Sequence, residues 1–138
     1  MSRGKILVVD DEQEIVISLS MRLKANQYEV ITANDSYVAT KKATQEYPDL
    51  IILDIGMPCK SGHEVVKTLR QNAKTRDIPV IFLTAHTSSK DYKEAIENGV
   101  EKYITKPFLP EELMGAIDEL LSQPRAEVQS GGLEQVKF

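Results

Sequence analysis

Cysteine is almost missing: Cys59 stands alone in 138 residues, so no internal disulfide can hold the fold together. Long hydrophobic runs are missing too. The N-terminus leads straight into Ile6-Leu7-Val8-Val9, four apolar residues and too few for a signal segment or a membrane span. A soluble cytoplasmic protein with no membrane partner is the expectation. Nor is there a basic excess: Lys and Arg total 17 against 21 Asp and Glu, the net charge is -4, the pI is near 5.2, and the cations are scattered instead of forming a stripe. Direct binding to DNA or RNA phosphates is therefore not expected. The two histidines, His63 and His86, have no matching cysteines and make a poor zinc set.

What the chain does have is 41% hydrophobic residues, enough for one domain of this length to bury roughly two-thirds of its unfolded surface. Lys5 to Val9 predicts a buried strand, and about Glu12 to Ala25 a helix with Ile15, Leu19 and Leu23 at four-residue spacing. Tyr28 to Ala33 is the second strand, followed by a helix from Asp35 to Glu46 that Asn34 or Asp35 caps and Pro48 stops. Asp49 to Asp54 is the most apolar strand, and the helix from His63 to about Asn72 carries Val65, Val66 and Leu69 on one face. Pro79 opens a fourth strand ending at Thr84. Ser88 with Asp91 resembles a capping box for a helix running to Asn98, with Gly99 at its stop. Lys102 to Thr105 is the fifth strand. The last helix starts near Pro110, with Glu111 and Glu112 in its first turn and Leu113, Ile117, Leu120 and Leu121 as its buried stripe.

Five strands alternating with five helices over short connections predict a single α/β domain: a doubly wound, five-stranded parallel sheet with helices on both faces and right-handed crossovers. Strands buried on both sides should be continuously apolar, as these are. The domain is expected to occupy residues 1–122. Residues 123–138, with Pro124 and Ser130-Gly131-Gly132, lack a periodic pattern and read as a flexible tail or the start of a linker.

Polar residues stand at the ends of the apolar runs, where open parallel sheets gather their functional groups. Asp10 and Asp11 follow Val9, Asp54 follows Leu53, Thr84 follows Leu83, and Lys106 follows the fifth strand. Alone, Asp10 and Asp11 would read as a solvated turn or helix cap, Thr84 as a strand end and Tyr103 as a half-buried sheet aromatic.

Four ordered motifs change that reading: Val9-Asp10-Asp11-Glu12, then Leu53-Asp54-Ile55-Gly56-Met57-Pro58 with Gly62 after it, then Pro79-Val80-Ile81-Phe82-Leu83-Thr84-Ala85, then Tyr103-Ile104-Thr105-Lys106-Pro107-Phe108. Together they resemble the receiver domain of two-component response regulators, the CheY-like family with a flavodoxin-like fold, over about Lys5 to Leu121. The resemblance implies strand order 2-1-3-4-5 and transfer of a phosphoryl group to Asp54 from a sensor histidine kinase or phosphotransfer protein. It implies Mg²⁺, with Mn²⁺ as a substitute, held by Asp10, Asp11, Asp54 and the Gly56 carbonyl. Thr84 and Lys106 are then catalytic, Thr84 and Tyr103 form the switch, and Lys106-Pro107 is a cis peptide. The fourth helix, fifth strand and fifth helix form the readout face for a downstream protein or effector, with a homodimer on phosphorylation left open. The protein is then no enzyme beyond its own phosphorylation and slow dephosphorylation.

The chemistry is consistent in itself. In that strand order the first and third strands are neighbours, so Asp10, Asp11 and Asp54 converge and repel one another. A hard divalent cation relieves the repulsion, and Mg²⁺ suits few carboxylates, one backbone oxygen, water and phosphate. The Asp54 carboxylate can attack phosphorus, Lys106 supplies a point charge to the transferred oxygens, and Thr84 offers a hydroxyl. Ala85 leaves an approach path for the donor. His63 reads as the start of a helix, His86 as part of an exposed loop and Cys59 as a free surface thiol. By resemblance, Gly56 and His86 border the phosphoryl group.

Three rival readings meet the sequence differently. A haloacid dehalogenase-type phosphatase needs a second Asp two residues after the nucleophile, where this chain has Gly56. A flavodoxin-like cofactor binder needs a Ser/Thr/Gly-rich loop where Asp-Asp-Glu stands. The nearer competitor is a docking module that keeps the fold and works without phosphorylation; loss of site residues would favour it, and none is lost.

Overall fold

The computed structural model describes residues 2–122, so the expected tail at 123–138 lies outside the described residues. Elements alternate throughout: β1 (Lys5–Val9), α1 (Gln13–Ala25), β2 (Glu29–Ala33), α2 (Ser36–Glu46), β3 (Leu50–Leu53), α3 (Gly62–Gln71), β4 (Val80–Thr84), α4 (Ser89–Glu97), β5 (Lys102–Thr105) and α5 (Pro110–Leu121). The five strands form one parallel sheet in the expected order β2-β1-β3-β4-β5.

Side chains alternate between the faces of a strand, so an all-apolar strand feeds two cores. Leu7, Val9, Ile51, Leu53 and Phe82 point into a core closed by Ala39 and Ala43 of α2, Val65, Val66 and Leu69 of α3, and Ala95 of α4. Ile6, Val8, Leu50, Ile52, Ile81 and Leu83 point the other way, against Val16, Leu19 and Leu23 of α1 and Leu113, Ile117 and Leu120 of α5. Val16 occupies the α1 position expected of Ile15, which is only partly buried; Val16, Leu19 and Leu23 follow the 3.6-residue turn more closely than a strict four-residue repeat does. Among the described residues, no helix is long and apolar enough to cross a membrane.

The starts of α2, α3 and α4 are fixed by side chains; those of α1 and α5 are not. Asp35, not Asn34, caps α2 by accepting the Val38 N–H at 2.9 Å. Ser61 and Glu64 form a reciprocal capping box at α3. Ser88 caps α4 by accepting the Asp91 N–H at 3.1 Å, but Asp91 Oδ2 takes the Ser88 hydroxyl and not a backbone donor. Away from the strand C-termini, Arg70 donates to the carbonyls of Arg76, Ile78, Asn98 and Gly99 and to Glu101, which also accepts the Val80 N–H. Burial pushes the Glu101 carboxyl above its ordinary value despite the neighbouring Arg70 charge.

The β3–α3 loop returns tightly on itself: the Gly62 N–H donates to the Ile55 carbonyl at 2.7 Å. A Cβ on Gly62 would overlap the Asp54 carbonyl oxygen and lie 2.9 Å from Ile55 Cα, both backbone atoms that cannot swing aside. Gly62→Ala is therefore expected to destabilise the domain by about 1–3 kcal/mol, measured as a lower urea midpoint at unchanged slope.

Candidate phosphoacceptor and cation site

The sheet's hydrogen bonding continues past the strand ends and sets the site. The Asp54 N–H donates to the Val9 carbonyl at 3.0 Å, the Asp10 N–H to Ala33 at 3.2 Å, and the Lys106 N–H to Thr84 at 2.8 Å. Asp54 is thereby held beside Asp10, and Lys106 beside Thr84. The Lys106-Pro107 peptide is cis.

Lys106 Nζ sits among three carboxylates, 2.8 Å from Asp10 Oδ2, 2.9 Å from Glu12 Oε1 and 3.2 Å from Asp54 Oδ2. The Asp10 and Asp54 side chains are 3% and 8% exposed, so their charges are poorly served by water. Burial raises the Asp10 carboxyl above its ordinary value, and the Asp54 charge adds to that; the Lys106 ammonium and the Glu12 N–H pull the other way. Burial would lower the Lys106 ammonium, but its bonds to Asp10 and Glu12 and the Asp54 charge lift it above its ordinary range, so it stays protonated.

Carboxylate oxygens of Asp10, Glu12 and Asp54 lie within 4.8 Å of one another. Three hard oxygen donors around one pocket match the preference of Mg²⁺. Asp11, expected as a ligand, is exposed and stands outside this group. Glu12 is the acid that the sequence reading left without a role. It begins the first turn toward α1, and its N–H donates to Asp10 Oδ1 at 2.9 Å, which turns its backbone back over the pocket. The Gly56 N–H lies 3.4 Å from Asp54 Oδ1.

Thr84 is fully buried, and its Oγ accepts the His86 N–H at 3.2 Å. His86 is half-exposed, as a loop residue should be, yet its ring lies against Gly56: a Cβ there would be 2.7 Å from His86 Nε2. The missing Gly56 side chain is what lets this imidazole reach the rim. Tyr103 is buried, donates its hydroxyl to the His86 carbonyl at 2.7 Å, stacks on Tyr92 at 4.2 Å between centroids and meets the Phe82 ring edge-on at 5.8 Å. Tyr103 is thus tied to the loop that follows Thr84.

His63 is more than the start of a helix. It is 5% exposed, its Nε2 lies 2.8 Å from Asp91 Oδ1, and its ring packs edge-on against Phe82 at 5.3 Å. Burial would raise the Asp91 carboxyl, but hydrogen bonds from His63 and Ser88 hold it below its ordinary value. Cys59 is exposed and free, with a left-handed φ of 77°.

Comparison with known proteins gives one answer. The family model of the response regulator receiver domain matches residues 6–118. The alkaline phosphatase synthesis transcriptional regulatory protein PhoP of Bacillus subtilis is 41% identical over 135 residues, covering 94% of this chain and 55% of that protein. The phosphate regulon transcriptional regulatory protein PhoB of Escherichia coli is 38% identical over 117 residues, covering 85% and 51%. The chain therefore spans about half the length of the curated relatives it matches. Among solved structures, the chemotaxis response regulator CheY4 of Vibrio cholerae superposes with a TM-score of 0.79 at 35% identity, over 85% of this chain and 98% of that one. A CheY-like receiver domain protein from Methanospirillum hungatei gives 0.83 at 27%, over 89% and 96%.

Without Lys106, three carboxylates would face one another with two of them buried. Lys106→Met is expected to lower stability in chelator by about 2–4 kcal/mol and to recover part of that loss in millimolar Mg²⁺. Thermal melts of both proteins with chelator and with Mg²⁺ check this; equal loss in the two buffers contradicts it.

Proposed function

The chain belongs to the response regulator receiver-domain family, and from that membership we propose that Asp54 accepts a phosphoryl group from a phosphohistidine of a sensor histidine kinase or phosphotransfer protein. The observation that carries this reading is the convergence of Asp54, Asp10, Glu12 and Lys106 at the mouth of the sheet, with Thr84 on the next strand. Asp10, Asp54 and the Gly56 carbonyl would hold Mg²⁺, or Mn²⁺ in its place, with Glu12 a further carboxylate within reach; Asp11, exposed outside this group, would have to turn inward to join them. When bound, the ion supplies charge neutralisation for the transferred oxygens.

The protein's own residues do the rest. An Asp54 carboxylate oxygen attacks phosphorus, the bond from phosphorus to the histidine nitrogen breaks, and its electron pair leaves with the imidazole, giving an acyl phosphate. Lys106 keeps its proton throughout and passes from the carboxylates to a phosphoryl oxygen. The Thr84 hydroxyl, whose oxygen already accepts the His86 N–H, can donate its own hydrogen to another phosphoryl oxygen. Slow return of the phosphoryl group to water resets the site; beyond this cycle on its own Asp54 the protein is a signalling component and not an enzyme. Roughly 1.5 to 2 added negative charges would bias Thr84 and Tyr103, and the face formed by α4, β5 and α5 would pass the change to a downstream protein or effector, or to a second copy of the chain. The transcriptional regulators among its relatives suggest an effector of that kind for a longer regulator. A docking module that works without phosphorylation would have no use for a buried, lysine-bridged aspartate at this position.

Asp54→Asn is nearly isosteric and removes the nucleophile. Intact-mass spectrometry after incubation with acetyl phosphate should show one phosphoryl adduct on the wild type, dependent on Mg²⁺, and none on the variant. No adduct on the wild type would leave the docking module standing. The pH dependence has a definite sign: metal ligation needs ionised carboxylates, and Asp10 is held above the ordinary 3.8. Mg²⁺ affinity measured by calorimetry should therefore begin to fall at a higher pH than an ordinary aspartate dictates, and Asp10→Asn should remove that early acid edge together with most of the affinity.

A further inference from the structure

Resting on the receiver reading above, we propose that the His63–Asp91 pair is a clasp between α3 and α4 that holds the first turn of α4 where it stands here, and that phosphorylation at Asp54 works against it. His63 is a positioning residue here; it touches no reacting atom.

The two ends of the clasp are anchored differently. On the α3 side, His63 follows Gly62, whose backbone packs directly against that of Asp54 and Ile55. The imidazole is buried, flanked by Phe82, and among the described residues its Nδ1 has no hydrogen-bond partner. Its polar ties run only through Nε2: Asp91 at 2.8 Å, with Glu94 of the same helix at 3.9 Å. A ring with one polar edge idle and the other on α4 is oriented by α4. On the α4 side, Asp91 is partly exposed and lies in the first turn, where its second oxygen takes the Ser88 hydroxyl that caps the helix. The clasp thus grips the N-terminal turn of α4 and ties it to a helix start fixed under Asp54.

A second set of ties reaches the same turn from the other side. Thr84 Oγ accepts the His86 N–H and the Tyr103 hydroxyl donates to the His86 carbonyl, while the Tyr103 ring stacks on Tyr92, the residue after Asp91. Any displacement of Thr84 is passed through His86 and Tyr103 to the start of α4. His63 resists it from α3. An interaction that favours one of two arrangements weakens, by the same factor, a ligand that favours the other.

The test uses beryllofluoride with Mg²⁺ as the phosphoryl mimic on the wild type, His63→Phe and His63→Gln. Phenylalanine keeps a ring against Phe82 and removes both the idle Nδ1 and the tie to Asp91, while the glutamine amide can return a donor near the place of Nε2. In His63→Phe without the mimic, hydrogen exchange of the α4 amides should speed up about tenfold while β1 and β3 amides stay as slow as in the wild type. Its apparent affinity for beryllofluoride should rise at least about threefold, and His63→Gln should stay near the wild type on both counts. Unchanged α4 exchange, unchanged or weaker mimic affinity, or glutamine behaving like phenylalanine would each overturn the clasp. If the wild type binds no mimic at all, the receiver reading fails first, and the exchange data alone still report whether His63 holds α4.

Discussion

The site depends on one ammonium group placed among three carboxylates. Asp10 and Asp54 are nearly water-free, and in that setting two negative charges a few ångströms apart are costly unless a cation lies between them. Lys106 supplies it from the far edge of the sheet, across the gap from β5 to β1. Its position follows from the strand order. With β3 and β4 between β1 and β5, Asp54 and Thr84 lie along the line that the lysine side chain spans. A shuffled order would separate these groups without altering any of them.

The same order explains why small residues flank the site. The β3–α3 loop has to leave β3 and fold back over its end at once to start α3, so Gly62 lies where a side chain would strike the loop's own backbone. Gly56 is small for a different reason: the His86 imidazole occupies its side-chain space. In this chain, then, the side-chain space at Gly56 is filled from the β4–α4 loop, and the same His86 is gripped through its backbone by Thr84 and Tyr103. Chemistry at Asp54 and the position of the α4 entry loop share these atoms.

Most of the fold was legible in the sequence because its signals are local. Leu50-Ile51-Ile52-Leu53 is apolar at every position and so reads as a strand covered on both faces, and it is buried throughout. Asp10, Asp54, Thr84 and Lys106 stood out because each ends such a run, and strand C-termini in a parallel sheet meet along one edge. What escaped was set by tertiary distance or helix phase. Glu12 looked like the opening residue of a helix; the Lys106 ammonium 2.9 Å from its Oε1 shows that its side chain reaches the pocket. His63 and Asp91 are 28 residues apart and belong to different helices, so no window along the chain connects them. Ile15 and Val16 are both apolar, and local spacing could not decide which of them faces the sheet.

A separate group gathers at one place: His63, His86, Tyr92 and Asp91 lie at the N-terminal turn of α4. Asp10, Asp54, Thr84 and Lys106, legible from sequence, are the groups of the proposed phosphoryl chemistry, which needs fixed atoms at strand ends. His63 and Asp91 meet where a helix start is held by a few polar ties and one ring contact, Tyr92 on Tyr103, instead of by a deep apolar stripe; Ala95 is the one α4 residue fully enclosed in the core. A helix so lightly embedded has little burial energy opposing a shift, and its position is decided by those ties. A receiver that must move one element in response to charge at another would place its weak contacts there and keep the sheet rigid, which is the distribution this chain has.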